Sequence, residues 1–596
     1  MTRSFEHVSV RVLKTNNFSK NFLLLSTTLV LAQPVHAQTG QLAPTREELQ
    51  RRETPNVAAP RIEIEGGLER EPCALDNPEF ADVKFTLRDV EFTGLGVIDS
   101  GLIRPAYTDL VGKEHSVSVV CDIRDRAASL LRDAGYIVAI QVPEQSIAGG
   151  LLKLDVVLAR MTQVRVRGDA GRAEQLISSY LERLTERPVF NRYEAERYLL
   201  LAGDVPGYTA RLALRPAGGG AGDVVGEVTV SRHSMTVDAN VLNYGSKELG
   251  RFGGQIRAQF FGLTGMGDVT SLSLYSTAEP REQKTLQATH DFKIGGEGLT
   301  VLSSLGYTWA RPDIDGRDTI RARTLVGSLA ISYPFVRSQS STLRGTAGID
   351  FVNQMIRQSG DAISRDRLRI LFGRLNWDAI SLDFSRPGFS FFEPRWRLGA
   401  SAELRHGIGI FNATNSCGTT CVVSGGIPLS VSSADPSAGV VRGSLYGEVR
   451  PAPRFTIAAN VRGQYSTRTL ASFEQFAAGN YTVGRGYDPG TLLGDRGIGA
   501  QVELRLGSIV PTSARKMAAE PFVFFDIARV GNENSNFLAR GQRNLTSFGG
   551  GVRATWLGFG IETALAVPLE RTGFQDRKPD PRLLFSISRR LFPWGS

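Results

Sequence analysis

The chain has 596 residues, with 69 Lys+Arg against 60 Asp+Glu, a formal charge of +9, 41% hydrophobic residues and 64 Gly. Its apolar residues are too dispersed for a bundle of membrane helices, each of which needs about 20 in a row. The high glycine content lacks a three-residue period, which excludes collagen, and long stretches of regular apolar alternation exclude a disordered chain.

The N-terminus carries Arg3, Arg11, Lys14 and Lys20, then an apolar run Phe22–Ala32, then Val35-His36-Ala37. This pattern predicts a signal peptide over residues 1–37, cleaved after Ala37; the run is too short to span a bilayer. The leader holds four basic residues and Glu6, leaving about +6 spread over the remaining chain. That charge gives little support for nucleic-acid binding. Export places the four cysteines in an oxidising compartment where they can pair.

Residues 38–79 read as a short helix and a linker. Thr45-Arg46-Glu47-Glu48 forms a capping box opening a helix to about Arg52, closed by Pro55 and Pro60. Its faces are mostly charged, so it is either a frayed linker or a mobile helix that docks elsewhere.

Residues 80–232 read as two small α/β units, 80–160 and 161–232. In the first, Phe85 to Phe92 reads as a strand. Ile123, Ala127, Leu130, Leu131 and Ala134 line one helix face closed by Gly135, and strands follow at Ile137–Val142 and Leu151–Leu158. The second repeats the order: strand Val164–Val166, helices Ala173–Leu184 and Tyr193–Leu201, strands Thr209–Leu214 and Val224–Val230.

From about 233 to 596 the period changes to two. Leu325-Gly327-Leu329-Ile331-Tyr333 and Ile498-Ala500-Val502-Leu504-Leu506 are clean examples, with Arg, Glu, Gln, Asn and Thr on the opposite parity. Sixteen such strands start near 234, 251, 268, 284, 298, 321, 343, 367, 394, 437, 454, 498, 521, 546, 558 and 581. A continuous run of this kind predicts a transmembrane β-barrel, apolar outside and polar inside. The pattern places short turns on the side of the α/β units and long loops, at 355–366, 411–436, 466–497 and 531–545, on the other.

The segment 466–497 contains Val483-Gly484-Arg485-Gly486-Tyr487, then Gly494-Asp495-Arg496-Gly497 and Glu503-Leu504. This resembles the loop-six signature of outer-membrane protein-transport barrels, with Gly484 inserted before the arginine. Pro143-Glu-Gln145-Ser-Ile147, Leu199-Leu-Leu-Ala-Gly-Asp204-Val-Pro206-Gly207 and Asn243-Tyr-Gly245-Ser246 with Gly250-Arg251 and Gly267-Asp268 extend the likeness over nearly the whole chain. The chain is similar to the two-partner secretion branch, the haemolysin and filamentous-haemagglutinin transporters. Leu158-Ala159-Arg160 departs from the family's usual acidic residue and Gly, and Pro593–Ser596 extends beyond the terminal Phe592.

The resemblance implies 16 antiparallel strands preceded by two periplasmic polypeptide-transport-associated (POTRA) domains and a short helix that plugs the lumen. It implies an outer-membrane translocator that binds a secreted exoprotein through its POTRA domains and exports it without nucleotide hydrolysis. It pairs Arg485 of Arg485-Gly486-Tyr487 with an acidic residue on the strand Phe522–Val530. Asp526 has the parity opposite to Val523, Phe525 and Ile527, so it takes this role, with Glu503 the weaker candidate. In a wet lumen such a pair is expected to contribute only about 1 kcal/mol while setting where the loop sits.

An extended passenger is expected to add to a POTRA strand edge, with Val224–Val230 and Leu151–Leu158 as candidates. No phosphate loop, nucleophile elbow or His-Glu-x-x-His occurs, so no enzyme activity, cofactor or metal is expected. A monomer in outer-membrane lipid is expected. Of the three pairings four cysteines allow, Cys417 with Cys421, closing a small external loop, and Cys73 with Cys121, tying the segment before the first α/β unit to its helix, are expected. A barrel-assembly insertase and a passive porin are the rival readings.

Overall fold

The computed structural model describes residues 43–593 apart from 50–63, 66–72, 74, 76, 81, 148, 170, 221, 315–318, 417–420, 422–423, 514, 534–543 and 573–576. The expected signal segment 1–37, the expected helix end near Arg52 and Cys417 lie outside these residues.

Helix α1 (Arg46–Leu49) opens with a closed capping box: Thr45 N–H donates to Glu48 (2.7 Å) and Glu48 N–H to the Thr45 hydroxyl (3.3 Å). The first α/β module follows. Phe85 to Phe92 is two strands rather than one, with fully buried Leu87 in the break between them. Lys84–Thr86 pairs with Glu114–Ser116, whereas Asp89–Thr93 pairs with Leu151–Asp155. Helix α2 (Val119–Asp133) buries Ile123, Ala127 and Leu131 on that second sheet's core. The Gln145 side chain stands in for a missing strand rung, donating to Lys153 O and accepting from Lys153 N, each at 2.7 Å. Cys73 is joined to Cys121 on α2, Cα to Cα 6.0 Å.

The second module places helices α3 (Glu174–Glu182) and α4 (Arg192–Gly203) on the sheet of Arg160–Gly168, Tyr208–Pro216 and Asp223–Arg232. One side chain serves both modules. Asn191 accepts from Tyr193 N (2.9 Å) at the start of α4 and donates to Ala134 O (3.0 Å) at the end of α2. Gly135, at φ +94°, keeps that junction tight: a Cβ there would lie 2.5 Å from the Tyr193 ring.

Both strands expected to receive a passenger are interior. Leu151–Leu158 lies between Asp89–Thr93 and Val138–Gln141, and Asp223–Arg232 between Tyr208–Pro216 and Arg160–Gly168. Their strong apolar patterns come from burial on a central strand, which leaves no free backbone edge. The short segment Ile64–Glu65 runs parallel to Leu212–Ala213 on the outer edge of Tyr208–Pro216.

Sixteen antiparallel strands, from Met235–Leu242 to Arg582–Phe592, close into a barrel through pairing of the first with the last. Leu305, Leu329, Leu404 and Leu565 point outward and are exposed, while Asp350, Glu403, Arg405, Glu503 and Asp526 point inward and are buried. The outward parity is therefore the lipid-facing one and the inward parity a polar lumen. The seam is extended past Leu242 by Asn243, whose side chain donates to Leu583 O (2.7 Å) and accepts from Phe585 N (2.8 Å).

The expected loop 355–366 is instead strand, since pairing between Ser341–Gln358 and Asp361–Ile380 continues to Gln358↔Asp361. At about 3.3 Å per residue this hairpin outruns a hydrocarbon layer of about 25 Å, so its tip stands in water and carries a loop-like polar composition. The rule of short turns on the module side also fails. The connections 381–395 and 507–517 on that side are longer than 359–360 and 278–282 on the other.

The second module is docked on the barrel. Arg337 grips Asp204 with two bonds of 2.7 Å, and Arg197 donates to Pro334 O (3.0 Å). Asp268 fixes the turn beneath it by accepting from Leu263 N (3.0 Å) and Thr264 N (2.9 Å).

Because Asn191 caps two helices, Asn191→Ala should destabilise the module junction by about 1–2 kcal/mol. Hydrogen–deuterium exchange should quicken at residues 134–136 and 192–193 while the barrel's exchange stays unchanged.

Candidate functional site in the barrel lumen

The loop between strands Phe455–Ser466 and Arg496–Leu506 turns into the barrel. A 3-10 turn, Ser472–Glu474, leads to a hairpin of Phe476–Ala478 with Leu492–Gly494, and the segment between them forms a folded tip. Gly479 N donates to Val483 O (2.8 Å) and Asn480 N to Tyr487 O (3.1 Å) within that tip. The wall beneath is stripped of side chains. A Cβ on Gly497 would lie 2.3 Å from the Phe476 ring, and one on Gly499 would lie 2.9 Å from Val483. The inserted Gly484 has φ +108°, and a Cβ there would lie 2.3 Å from Leu545. Both backbone conformation and space therefore demand glycine at this position.

Arg485 meets Asp526 through Nε (3.1 Å) and Nη2 (2.7 Å), and its backbone N–H donates to the same carboxylate (2.9 Å). Its Nη1 pairs with Glu503. The guanidinium lies 3.7 Å from the centre of the Phe524 ring, an arrangement that adds cation–π attraction. Glu503 in turn holds Arg553 (2.9 Å) and Arg505 (2.7 Å), and Arg553 stacks over Phe522. Asp526 has no exposed surface, so this is a buried pair rather than the wet, weak one expected. Removing one partner of such a pair costs roughly 3–5 kcal/mol through the charge left behind.

Gly486 lets the tip approach the wall: its N–H donates to Ser547 (3.3 Å), and a Cβ would lie 2.9 Å from Pro568 N. Tyr487 crosses to the next strands, its hydroxyl donating to carbonyl oxygen at Thr546 (2.9 Å) and accepting from Glu570 N (2.9 Å). Arg485, Gly486, Tyr487, Asp526 and Glu503 are thus assembled in one place. Cys421 is disulfide-bonded and, like Cys73–Cys121, lies apart from this cluster.

Several residues of the site escaped the sequence reading. Phe522 and Phe524 share the inward parity of Asp526, a signal that was available. Asp488 bridges Arg582 (2.7 Å) and Arg251 (3.0 Å), tying the tip to the last strand and to the connection that follows the first. Asp495, fully buried, accepts from Leu470 N (2.8 Å) and Glu533 N (2.9 Å) and closes the loop's base.

Helix α1 occupies the same lumen. Glu47 pairs with Arg462 of the wall (2.7 Å), and Leu49 is buried against Val352, Leu368, Ile370 and Phe473. The helix therefore has an apolar anchor that its mostly charged sequence concealed.

A family model described as haemolysin secretion/activation protein ShlB/FhaC/HecB matches residues 220–554, and a ShlB-type POTRA domain matches residues 85–158. Among solved structures, CdiB from Escherichia coli is similar at 16% identity and TM-score 0.68, covering 88% of this chain and 93% of that one. CdiB from Acinetobacter baumannii is similar at 17% identity and TM-score 0.61, covering 85% and 90%. BamA from Haemophilus ducreyi lacking POTRA domains 1–3 shares the fold at 12% identity and TM-score 0.50, covering 85% and 99%. No curated protein matches.

Gly484→Ala should dislodge the tip without unfolding the barrel, at a cost of about 1–3 kcal/mol. Protease added outside should then cleave the loop, while heat-modifiable migration of the barrel on gels stays as in the wild type.

Proposed function

The chain belongs to the haemolysin secretion/activation family, outer-membrane translocators of two-partner secretion with periplasmic POTRA domains; from that premise we propose how its lumen is closed and opened. The carrying observation is that the lumen of a closed barrel is filled by two segments of the same chain, α1 and loop six. Loop six is the fixed filler. Arg485 and Asp526 lock its tip, with Glu503 as the second carboxylate and Tyr487 spanning the neighbouring strands. Helix α1 is the removable filler: Glu47 on Arg462, Leu49 and the preceding Ala43 hold its described residues, against the many bonds of the loop.

The passenger enters from the periplasm as an extended chain. Its recognition by β-augmentation uses the outer edge of Tyr208–Pro216, which already accepts Ile64–Glu65 of the linker as a parallel strand. Among the described residues, the other edge strands of the two larger module sheets are Asp89–Thr93, Val138–Gln141 and Arg160–Gly168, and Lys84–Thr86 with Glu114–Ser116 forms a separate two-stranded sheet. Passenger folding outside supplies the driving force, so the protein needs no catalytic residue, cofactor or metal. Closure of the sheet on itself leaves no strand edge to pair, which suits a monomer in lipid.

Deleting Pro44–Pro55 should raise channel conductance several-fold in planar bilayers and leave partner-dependent secretion measurable. Unchanged conductance would remove α1 from the role of plug. Insertion of other barrels by the protein, with no partner secreted, would favour an assembly insertase.

A further inference from the structure

The lumen contains a second ion cluster, distinct from the Arg485 site. Arg405, with 2% of its side chain exposed, contacts Asp350 (2.8 Å), Glu403 (3.0 Å) and Glu474 (2.9 Å). Arg442 also reaches Glu474 (2.9 Å) and donates to its backbone carbonyl (2.9 Å), while Arg374 pairs with Glu403. All of these belong to barrel strands except Glu474, which ends the 3-10 turn in the limb of loop six before the tip.

The charge balance follows from these contacts. The wall contributes three arginines and two carboxylates, and Glu474 supplies the third carboxylate. Without it, a buried arginine is left short of an anion, a costly state in a site with little solvent. At the tip the balance is reversed: the wall presents Asp526, Glu503 and Glu562 against Arg505 and Arg553, one carboxylate in excess, and the loop supplies the cation.

We propose that Glu474 is a positioning residue, a second latch of loop six, and that the two latches of opposite polarity fix the register of the loop in the lumen. This rests on the reading of Arg485 as the tip lock and extends it to the limb. A loop shifted or inserted the other way round would bring Glu474 to a wall with carboxylates in excess and Arg485 to one with arginines in excess, so wrong placements are disfavoured as well as unrewarded. The limb latch also supports α1, since Phe473, beside Glu474, packs on Leu49. Each latch holds its own part of the loop.

The test uses the full-length transporter in intact cells and a membrane-impermeant maleimide. The described residues hold no free cysteine, so an added thiol reports alone. Ala471→Cys, at a buried limb position, and Val483→Cys, at a buried tip position, are the two reporters. Glu474→Gln should speed labelling at 471 by about tenfold and leave 483 protected. Glu474→Asp, which keeps the charge, should fall between wild type and Gln. Unchanged labelling at 471, an equal rise at 483, or an Asp variant as accessible as Gln would overturn the proposal. Arg485→Ala serves as the separate arm: if 483 stays protected there, the tip reading fails, while the 471 result still decides the limb latch. Heat-modifiable migration of each variant shows whether its barrel has folded.

Discussion

A guanidinium buried against two carboxylates on a barrel wall is the constraint around which this molecule is arranged. Arg485 has to reach Asp526 and Glu503 from a loop, so the loop must enter the lumen and lie flat on the strands. That approach demands bare backbone, which Gly497 and Gly499 provide on the wall and Gly484 and Gly486 on the loop. It demands a ring for the planar cation, which Phe524 provides from the inward parity of the strand that carries Asp526. The surrounding arginines, Arg505 and Arg553, keep Glu503 paired in the same network. Remove the central contact and each of these features loses its reason.

The periplasmic half depends on the barrel in a related way. The second α/β module is seated by Asp204 on Arg337, and the first, which carries the POTRA match, is coupled to it through Asn191. The two modules are therefore joined to each other and to the barrel rather than loose. The disulfide Cys73–Cys121 fastens the linker to the first domain, and Ile64–Glu65 rests on the second. The linker after α1 thus touches both modules.

Much of this was legible in the residues. Period-two alternation gave all sixteen strands because lipid outside and water inside impose opposite chemistry on successive side chains. The parity of Val523, Phe525 and Ile527 placed Asp526 in the lumen. The failures have physical causes too. Leu151–Leu158 and Val224–Val230 looked like candidate edges because apolar content reports burial and says nothing about which neighbour takes the backbone. The polar stretch 355–366 looked like a loop because a hairpin in water and a loop in water share a composition. Leu49 went unnoticed because one apolar residue on a charged helix has no period, and Glu474 because its partners are distant in sequence.

The central claim is that Arg485 and Asp526 act as one unit. The direct measurement is a double-mutant cycle on secretion of the partner exoprotein at matched barrel levels, comparing Arg485→Ala, Asp526→Ala and the double variant. The account predicts that each single variant loses most secretion and that the double variant loses no more than the worse single one, a coupling of about 2–3 kcal/mol. Losses that simply add, or single variants that secrete as the wild type does, would contradict it.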